Sequence, residues 1–166
     1  MRLLVSGSPG PLSANSRLLV ALGQLGGTDY LLADYLADLP VFQPGRDKAP
    51  WPEGVIRWRK DVASAGSVIF STPAYLHNIP GVLKNALEWL TSSGELDAKP
   101  CLVFTLTPGA PRGERARQSL LWSLEALNAR VVAEGGLYQP EIKLAEDGHL
   151  TEGEERQMLE ELLALL

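Results

Sequence analysis

Thr72-Pro73-Ala74-Tyr75-Leu76-His77-Asn78-Ile79-Pro80-Gly81-Val82-Leu83-Lys84-Asn85-Ala86-Leu87-Glu88-Trp89-Leu90 is the stretch on which the fold turns. An apolar strand leads into it and an amphipathic helix leaves it. Ile79, Leu83, Ala86, Leu87 and Leu90 recur at helical spacing and share one face. Pro80 suits a first helical turn, where a missing N–H costs little, and Gly94 is read as the stop. A Pro, an aromatic ring and small or polar residues fill the turn between strand and helix. In an open parallel sheet such a turn is where ligands bind.

The rest of the chain repeats this alternation. Upstream, Arg2–Ser6 reads as a short buried strand, 6–14 as a Gly/Pro/Ser turn and Ser16–Leu25 as a helix with Leu18, Leu19, Leu22 and Leu25 apolar. Tyr30–Ala33 reads as a strand, 39–51 as a proline-rich loop, Val55–Ala65 as a helix and Ser67–Ser71 as the strand entering the quoted turn. Downstream, Pro100–Thr107 reads as a strand, 108–113 as a Pro/Gly loop and Glu114–Leu127 as a helix. Arg130–Ala133 reads as a fifth strand and 135–150 as irregular, with room for an edge segment. Thr151 and Glu154 are spaced as a capping box for a last helix reaching Leu166. Strands alternating with helices predict an α/β fold: a doubly wound parallel sheet of five strands in three layers. The flavodoxin-like order 2-1-3-4-5 is the first choice, with its ligand between the first and third strands.

At 166 residues, 45% apolar and 21% charged, the chain is expected to be a single soluble domain, residues 1–166. A net charge of −5 argues against nucleic acid or a membrane surface as partner. It leaves room for a phosphorylated ligand, because a local donor cluster binds an anion in an acidic protein. Cys101 is the only cysteine, which fits a reducing cytoplasm. His77 and His149 lack ligand-spaced partners, so no metal is expected. Leu3-Leu4-Val5 is too short for a signal sequence, and no apolar run approaches a membrane span.

Three loops fall at one end of such a sheet. In the first, Gly7 to Ser16, the opening of a helix presents backbone N–H groups, and Ser8, Ser13, Asn15 and Ser16 add short donors suited to phosphate oxygens. It is neither a Walker A loop nor a dinucleotide GxGxxG; the alternative is a plain polar turn with Ser13 or Asn15 as helix N-cap. In the second, Pro73 to Pro80, Tyr75 offers a ring to a planar ligand, and backbone groups from Ala74 to Asn78 can meet a heterocycle edge. His77 and Asn78 are expected at the surface, and Trp89 in the core or at an interface. In the third, Thr107, Pro108, Gly109 and Arg112 allow close approach, and Arg112 and Arg115 sit near a helix start, where the dipole disfavours cations. No nucleophile–base–acid set is visible, and Cys101 falls inside a strand. Any chemistry therefore comes from a bound cofactor.

With these loops in place, the chain resembles the NAD(P)H-dependent FMN reductase family. Gly7-Ser8 and Ser13-Ala14-Asn15-Ser16 are similar to its Gly-Ser-x-Arg-x-x-Ser-x-Asn phosphate loop. Pro73-Ala74-Tyr75-Leu76 and Pro80-Gly81-Val82-Leu83-Lys84-Asn85-Ala86-Leu87-Glu88-Trp89 are similar to its Pro-Glu-Tyr-Asn…Pro-Gly-x-Leu-Lys-Asn-Ala-x-Asp-Trp. Gly113-Glu114-Arg115-Ala116 resembles its Gly-x-Arg-Ala. Three departures stand out: Pro9-Gly10 replaces the loop arginine, and Ala74 and Leu76 replace the polar neighbours of Tyr75. Arginine is a bidentate phosphate partner, so its loss weakens phosphate binding.

The resemblance implies a flavodoxin-like fold with FMN as cofactor and NAD(P)H as co-substrate. It places the phosphate on Ser8, Ser13, Asn15 and Ser16, the ring against Pro73, Ala74, Tyr75, Leu76, His77 and Asn78, and Thr107, Pro108, Gly109 and Arg112 on the far side. Electrons would pass to a small acceptor: a quinone, azo compound, metal oxyanion or free flavin. A homodimer or homotetramer is also implied, and Trp122, off the inward face of its helix, is the candidate interface residue. The alternatives are a non-enzymatic FMN electron carrier and a degenerate member that has lost flavin.

Overall fold

The computed structural model describes residues 1–10, 12–27 and 29–166. Five parallel strands form one sheet: β1 (Arg2–Ser6), β2 (Tyr30–Ala33), β3 (Ser67–Thr72), β4 (Pro100–Thr107) and β5 (Arg130–Tyr138). Their order is β2-β1-β3-β4-β5, the flavodoxin-like order that is the first choice from the sequence. Four helices connect them, α1 (Ala14–Leu25), α2 (Glu53–Ser64), α3 (Gly81–Glu88) and α4 (Glu114–Ala126), and α5 (Glu154–Leu163) follows β5. No helix is long and apolar enough to cross a membrane among the described residues.

The central strands are continuous apolar runs because both faces of the sheet are covered. Leu3, Val5, Val68, Phe70, Cys101 and Val103 point to the layer of α2, α3 and α4. Leu4, Ile69, Leu102 and Phe104 point the other way, onto α1 and α5 through Leu18, Leu22, Leu159 and Leu163. Cys101 is fully buried, and desolvation pushes its thiol up to about 12 against the pull of Lys99 and Arg130. It is an inert core residue.

Beyond shifts of one to three residues at the ends of β3, α1, α2, α4 and α5, three features differ from the sequence reading. β5 runs to Tyr138, through the stretch from Gly135 that reads as irregular. An irregularity opposite Cys101/Leu102 inserts Val132 without a partner and flips the side-chain alternation, hiding the period of two. A Cβ on Gly136 would lie 2.8 Å from Arg117 Nη1, so a larger residue there would displace that guanidinium. The quoted helix stops at Glu88, well before Gly94, because the Trp89 carbonyl is taken by Arg59 Nε (3.0 Å) and Nη2 (2.8 Å). The capping box does not form. The Thr151 amide bonds to the Lys143 carbonyl (3.0 Å) and its hydroxyl donates to the same oxygen (3.3 Å), which ties Thr151 into the tail and leaves Gly153 as N-cap.

The helix half of the quoted segment holds the proline-rich loop. Asn85 Oδ1 accepts from the Phe42 amide (2.7 Å), Asn85 Nδ2 donates to the Pro40 carbonyl (3.1 Å), and Trp89 Nε1 donates to the same carbonyl (2.7 Å). Phe42 packs edge-on against Trp89, with ring centroids 5.2 Å apart. An amide and an indole four residues apart on one helix face thus clamp residues 39–42. Trp89 is core, not interface.

Where β1 leaves the sheet, Gly7 donates its amide to the Ser71 carbonyl (2.8 Å). A Cβ on Gly7 would fall on the Thr72 hydroxyl, 2.8 Å from Thr72 Cβ and 3.0 Å from Leu83 Cδ2. The close approach of the first and second loops therefore requires glycine. Gly7→Ala is expected to cost about 2 kcal/mol by overpacking, read as a lower denaturant midpoint; an unchanged midpoint would show that the two loops can part freely.

Candidate functional site

A cleft of about 370 Å³ opens at the carboxyl ends of β1, β3 and β4, where the strand order reverses and ligands of open α/β sheets bind. One wall is the start of α1, contributing Ser8, Ser13, Ala14 and Asn15. A second is Pro73, Ala74 and Tyr75, and a third is Leu106, Thr107, Pro108 and Arg112, with Gln139 at the far end. Arg112 is the one permanently charged side chain among these residues, and no carboxylate or imidazole is among them.

The first loop is built from nested hydroxyls. Ser13 is the N-cap of α1, accepting from the Ser16 amide at 3.0 Å. Ser16 Oγ is buried between Ser6 Oγ (3.0 Å) and Ser13 Oγ (2.9 Å). Asn15 is also turned inward: its Oδ1 accepts from Ser71 Oγ (2.7 Å) and its Nδ2 reaches the Leu106 carbonyl (3.5 Å). Two of the four donors thus lock α1 onto β1, β3 and β4 and leave the Ser8 and Ser13 hydroxyls on the cleft. The first-turn amides of Ala14 and Asn15 have no carbonyl partner within the helix, and the helix dipole makes their position favourable for an anion. Pro11 of this loop lies outside the described residues.

The second loop is a tight turn. The Tyr75 amide bonds to the Asn78 carbonyl and the Asn78 amide to the Tyr75 carbonyl, both at 2.9 Å. Those two amides are spent on the turn, and those of Leu76 and His77 are not part of it. Leu76 and His77 both hold left-handed backbone, with φ of 51° and 63°. Tyr75 is half exposed at the rim and Leu76 is 99% exposed. Leu76, His77 and Asn78 therefore stand outside the cleft lining; the Asn78 side chain accepts from the Ile79 amide at 2.8 Å. The exposed Leu76 side chain buries nothing here, and its Cβ makes the left-handed backbone costly. Leu76→Asn is expected to stabilise the protein by about 1 kcal/mol, raising Tm by roughly 2–4 °C; a lower Tm would mean that the turn relaxes around leucine without strain.

In the third loop Thr107 Oγ1 donates to the Arg112 carbonyl (3.1 Å) and the Arg112 amide bonds to Gly109 (3.1 Å). Gly109 shapes the turn from outside the lining. Arg115 is exposed and off the cleft. Gln139 and Leu106 were not legible as site residues. Gln139 lies beyond the end of β5, and only the extension of that strand brings its amide to the Thr107 carbonyl at 2.9 Å.

This donor set suits a phosphate ester on a flat ring system: neutral hydroxyls and helix amides at one end, apolar and backbone walls at the other. The family described as NADPH-dependent FMN reductase matches residues 1–142. The chain belongs to this family. It is 27% identical over 173 residues to an NAD(P)H-dependent FMN reductase of Pseudomonas aeruginosa, covering 98% of this chain and 90% of that one. It is 33% identical over 126 residues to an NADH:(hydroxy)cinnamate reductase subunit of Vibrio ruber, a match spanning 75% of this chain and 62% of the subunit. Among solved structures, the flavoenzyme NAD(P)H:(acceptor) oxidoreductase of Paracoccus denitrificans superposes with a TM-score of 0.80 at 24% identity, over 98% of this chain and 92% of that one. The flavodoxin-like architecture of this reductase-family chain is thereby shared with a known flavoenzyme.

Proposed function

We propose that the chain is an NAD(P)H-dependent, FMN-containing oxidoreductase delivering electrons to a small acceptor such as a quinone, azo compound, metal oxyanion or free flavin. The observation that carries the reading is the cleft at the sheet's switch point, with serine hydroxyls and the α1 N-terminus at one end and the Pro73–Tyr75 wall at the other. FMN, when bound, would supply the redox chemistry between NAD(P)H and the acceptor. Ser8, Ser13 and the amides of Ala14 and Asn15 hold its phosphate. Asn15 and Ser16, through Ser71 and Ser6, fix the direction of α1. Pro73, Ala74 and Tyr75 face Leu106, Thr107 and Pro108 across the slot and exclude water from the ring. The half-exposed Tyr75 leaves the rim open to a co-substrate. Among the described residues no carboxylate or imidazole lines the cleft to move a proton, which this division of labour does not require. Leu76, His77, Asn78 and Gly109 act through the backbone of their turns.

The reading includes one FMN-binding domain over residues 1–166, supported by the single continuous sheet, and a cytoplasmic setting, supported by the lone buried Cys101. A homo-oligomer is supported by Trp122, 64% exposed beside a groove between α3 and α4 walled by Leu87 and Leu127; sedimentation velocity tests it. The catalytic reading is tested by steady-state NAD(P)H oxidation with an added quinone. Turnover that depends on FMN is expected; an FMN-loaded protein without turnover would be an electron carrier.

A further inference from the structure

Arg112, the one permanently charged residue lining the cleft, has no part in holding the flavin as described above. Its backbone is fixed. The Thr107 hydroxyl donates to its carbonyl (3.1 Å), and its amide donates to the Gly109 carbonyl (3.1 Å). Gly113, next in the chain, holds a left-handed φ of 101°. A Cβ there would lie 2.8 Å from Thr105 Oγ1 and 3.2 Å from Thr107 Cγ2. The start of α4 is thereby pressed onto the end of β4, which sets Arg112 at the lip of the cleft. Its side chain, by contrast, is unengaged. It is exposed and has no ion-pair partner among the described residues. Arg117, one turn further along α4, is already paired with Glu134.

The layers say which end of the cleft this cation serves. Helices α1 and α5 cover one face of the sheet, and α2, α3 and α4 cover the other. Ser8 and Ser13 lie at the opening of α1, whereas Arg112 lies at the opening of α4. It therefore shares its face with the Pro73–Tyr75 wall, which leads into α3. A flavin with a single phosphate satisfies the α1 end and leaves Arg112 at the ring end. There Tyr75 is 50% exposed, and position 74, which could have held a neutralising carboxylate, is alanine. In a chain of net charge −5, a cleft with one cation and no carboxylate is a local reversal that attracts negative charge. A guanidinium meets a carboxylate or sulfonate with two parallel hydrogen bonds, and a tyrosine ring offers a face to a flat aromatic.

Resting on the flavin reading above, we propose that Arg112 sets the acceptor class: a flat aromatic molecule carrying a carboxylate or sulfonate. Its ring lies against Tyr75 and its anionic group on the Arg112 guanidinium. Arg112 is then a specificity-determining residue, touching the anionic group of the acceptor and not the part that is reduced.

The test compares FMN-loaded wild-type protein with Arg112→Ala and Arg112→Glu. Arg112 is an exposed loop residue, so both substitutions preserve the fold. One measurement is the ratio of kcat/KM for a naphthoquinone sulfonate to that for unsubstituted naphthoquinone, with NADH as donor. The other is calorimetric titration with naphthalene sulfonate, which accepts no electrons. Arg112→Ala should lower the ratio and weaken naphthalene sulfonate binding, each by roughly tenfold, as expected for loss of one charged hydrogen-bonded contact. Arg112→Glu should lower both further, and added salt should narrow the differences. A ratio and a sulfonate affinity that survive Arg112→Ala would overturn the proposal. So would a loss confined to FMN over riboflavin, which would put Arg112 on the flavin phosphate. A loss confined to NADPH over NADH would put it on the nicotinamide nucleotide and overturn it equally. Each of these leaves the flavin site standing. Failure of the FMN-loaded protein to reduce either quinone would sink the reductase reading instead, with the calorimetric arm still deciding whether Arg112 holds the sulfonate.

Discussion

Ser13→Asp is expected to leave the fold intact and to weaken FMN binding by roughly 100-fold or more. Aspartate is as good an N-cap as serine and sits favourably at the positive end of α1, so Tm should hold or rise. The same carboxylate would lie against the phosphate that the helix start is proposed to hold. Two like charges at about 4 Å repel by roughly 4 kcal/mol at an effective dielectric near 20. Riboflavin, which lacks the phosphate, provides the control: its affinity should change little. Equal losses for FMN and riboflavin, or no loss for either, would place the phosphate elsewhere. The double readout separates the site from the scaffold, since the substitution improves one and damages the other.

Arg59→Ala should cost about 3–5 kcal/mol, the usual penalty for breaking one side of a buried ion pair. Arg59 Nη2 donates to Asp47 Oδ1 at 2.7 Å, and side-chain exposures are only 11% and 8%. The guanidinium also bonds the Trp89 carbonyl and Ser92 Oγ (3.2 Å) and lies 4.9 Å from the centre of the Trp51 ring. Its loss leaves a carboxylate and a carbonyl without their partner and frees the loop clamped by Asn85 and Trp89. Equilibrium denaturation measures the change; a loss under about 1 kcal/mol would mean that water replaces the guanidinium. The same pair carries a pH signature. Burial alone would raise the Asp47 pKa, but hydrogen bonds from Ser92, Arg59 and Trp51 and the Arg59 charge outweigh it and hold it below the ordinary value. A depressed folded value means the stabilisation is complete above the ordinary carboxylate pKa and is lost as pH falls through the lower one. The Tm difference between wild type and Asp47→Asn should therefore hold at neutral pH and shrink as pH falls below the ordinary carboxylate pKa.

These two residues also mark what the sequence could and could not say. Strand and helix identities follow from Leu3-Leu4-Val5, Val68-Ile69-Phe70 and the Ile79–Leu90 stripe, because hydrophobic period is a local signal. Arg59 and Asp47 are twelve residues apart with a helix start between them, and nothing local announces a pair. The sequence pattern for β5 ends early because the bulge at Val132 breaks the alternation and Gly135-Gly136 reads as a breaker, although Gly135 pairs with Phe104 and Gly136 with Thr105. Gln139 was lost with it. At the site, Ser8, Ser13, Pro73, Tyr75 and Thr107 are legible because each lies at or beyond the carboxyl end of a strand, in or next to its loop. Asn15 and Ser16 look like the other donors in sequence; their inward turn depends on Ser71 and Ser6, hydroxyls on neighbouring strands. Residue type told which groups could bind a phosphate, and only the packing of α1 told which ones face the cleft.

The central claim, that this cleft is a working flavin site, is tested most directly by the absorbance spectrum of the purified protein after FMN addition and gel filtration, before and after NADH or NADPH. The account predicts that the flavin bands travel with the protein and bleach on adding the reduced nicotinamide. A protein fraction that emerges colourless, with all FMN in the small-molecule fractions and no saturable quenching on titration, would contradict it.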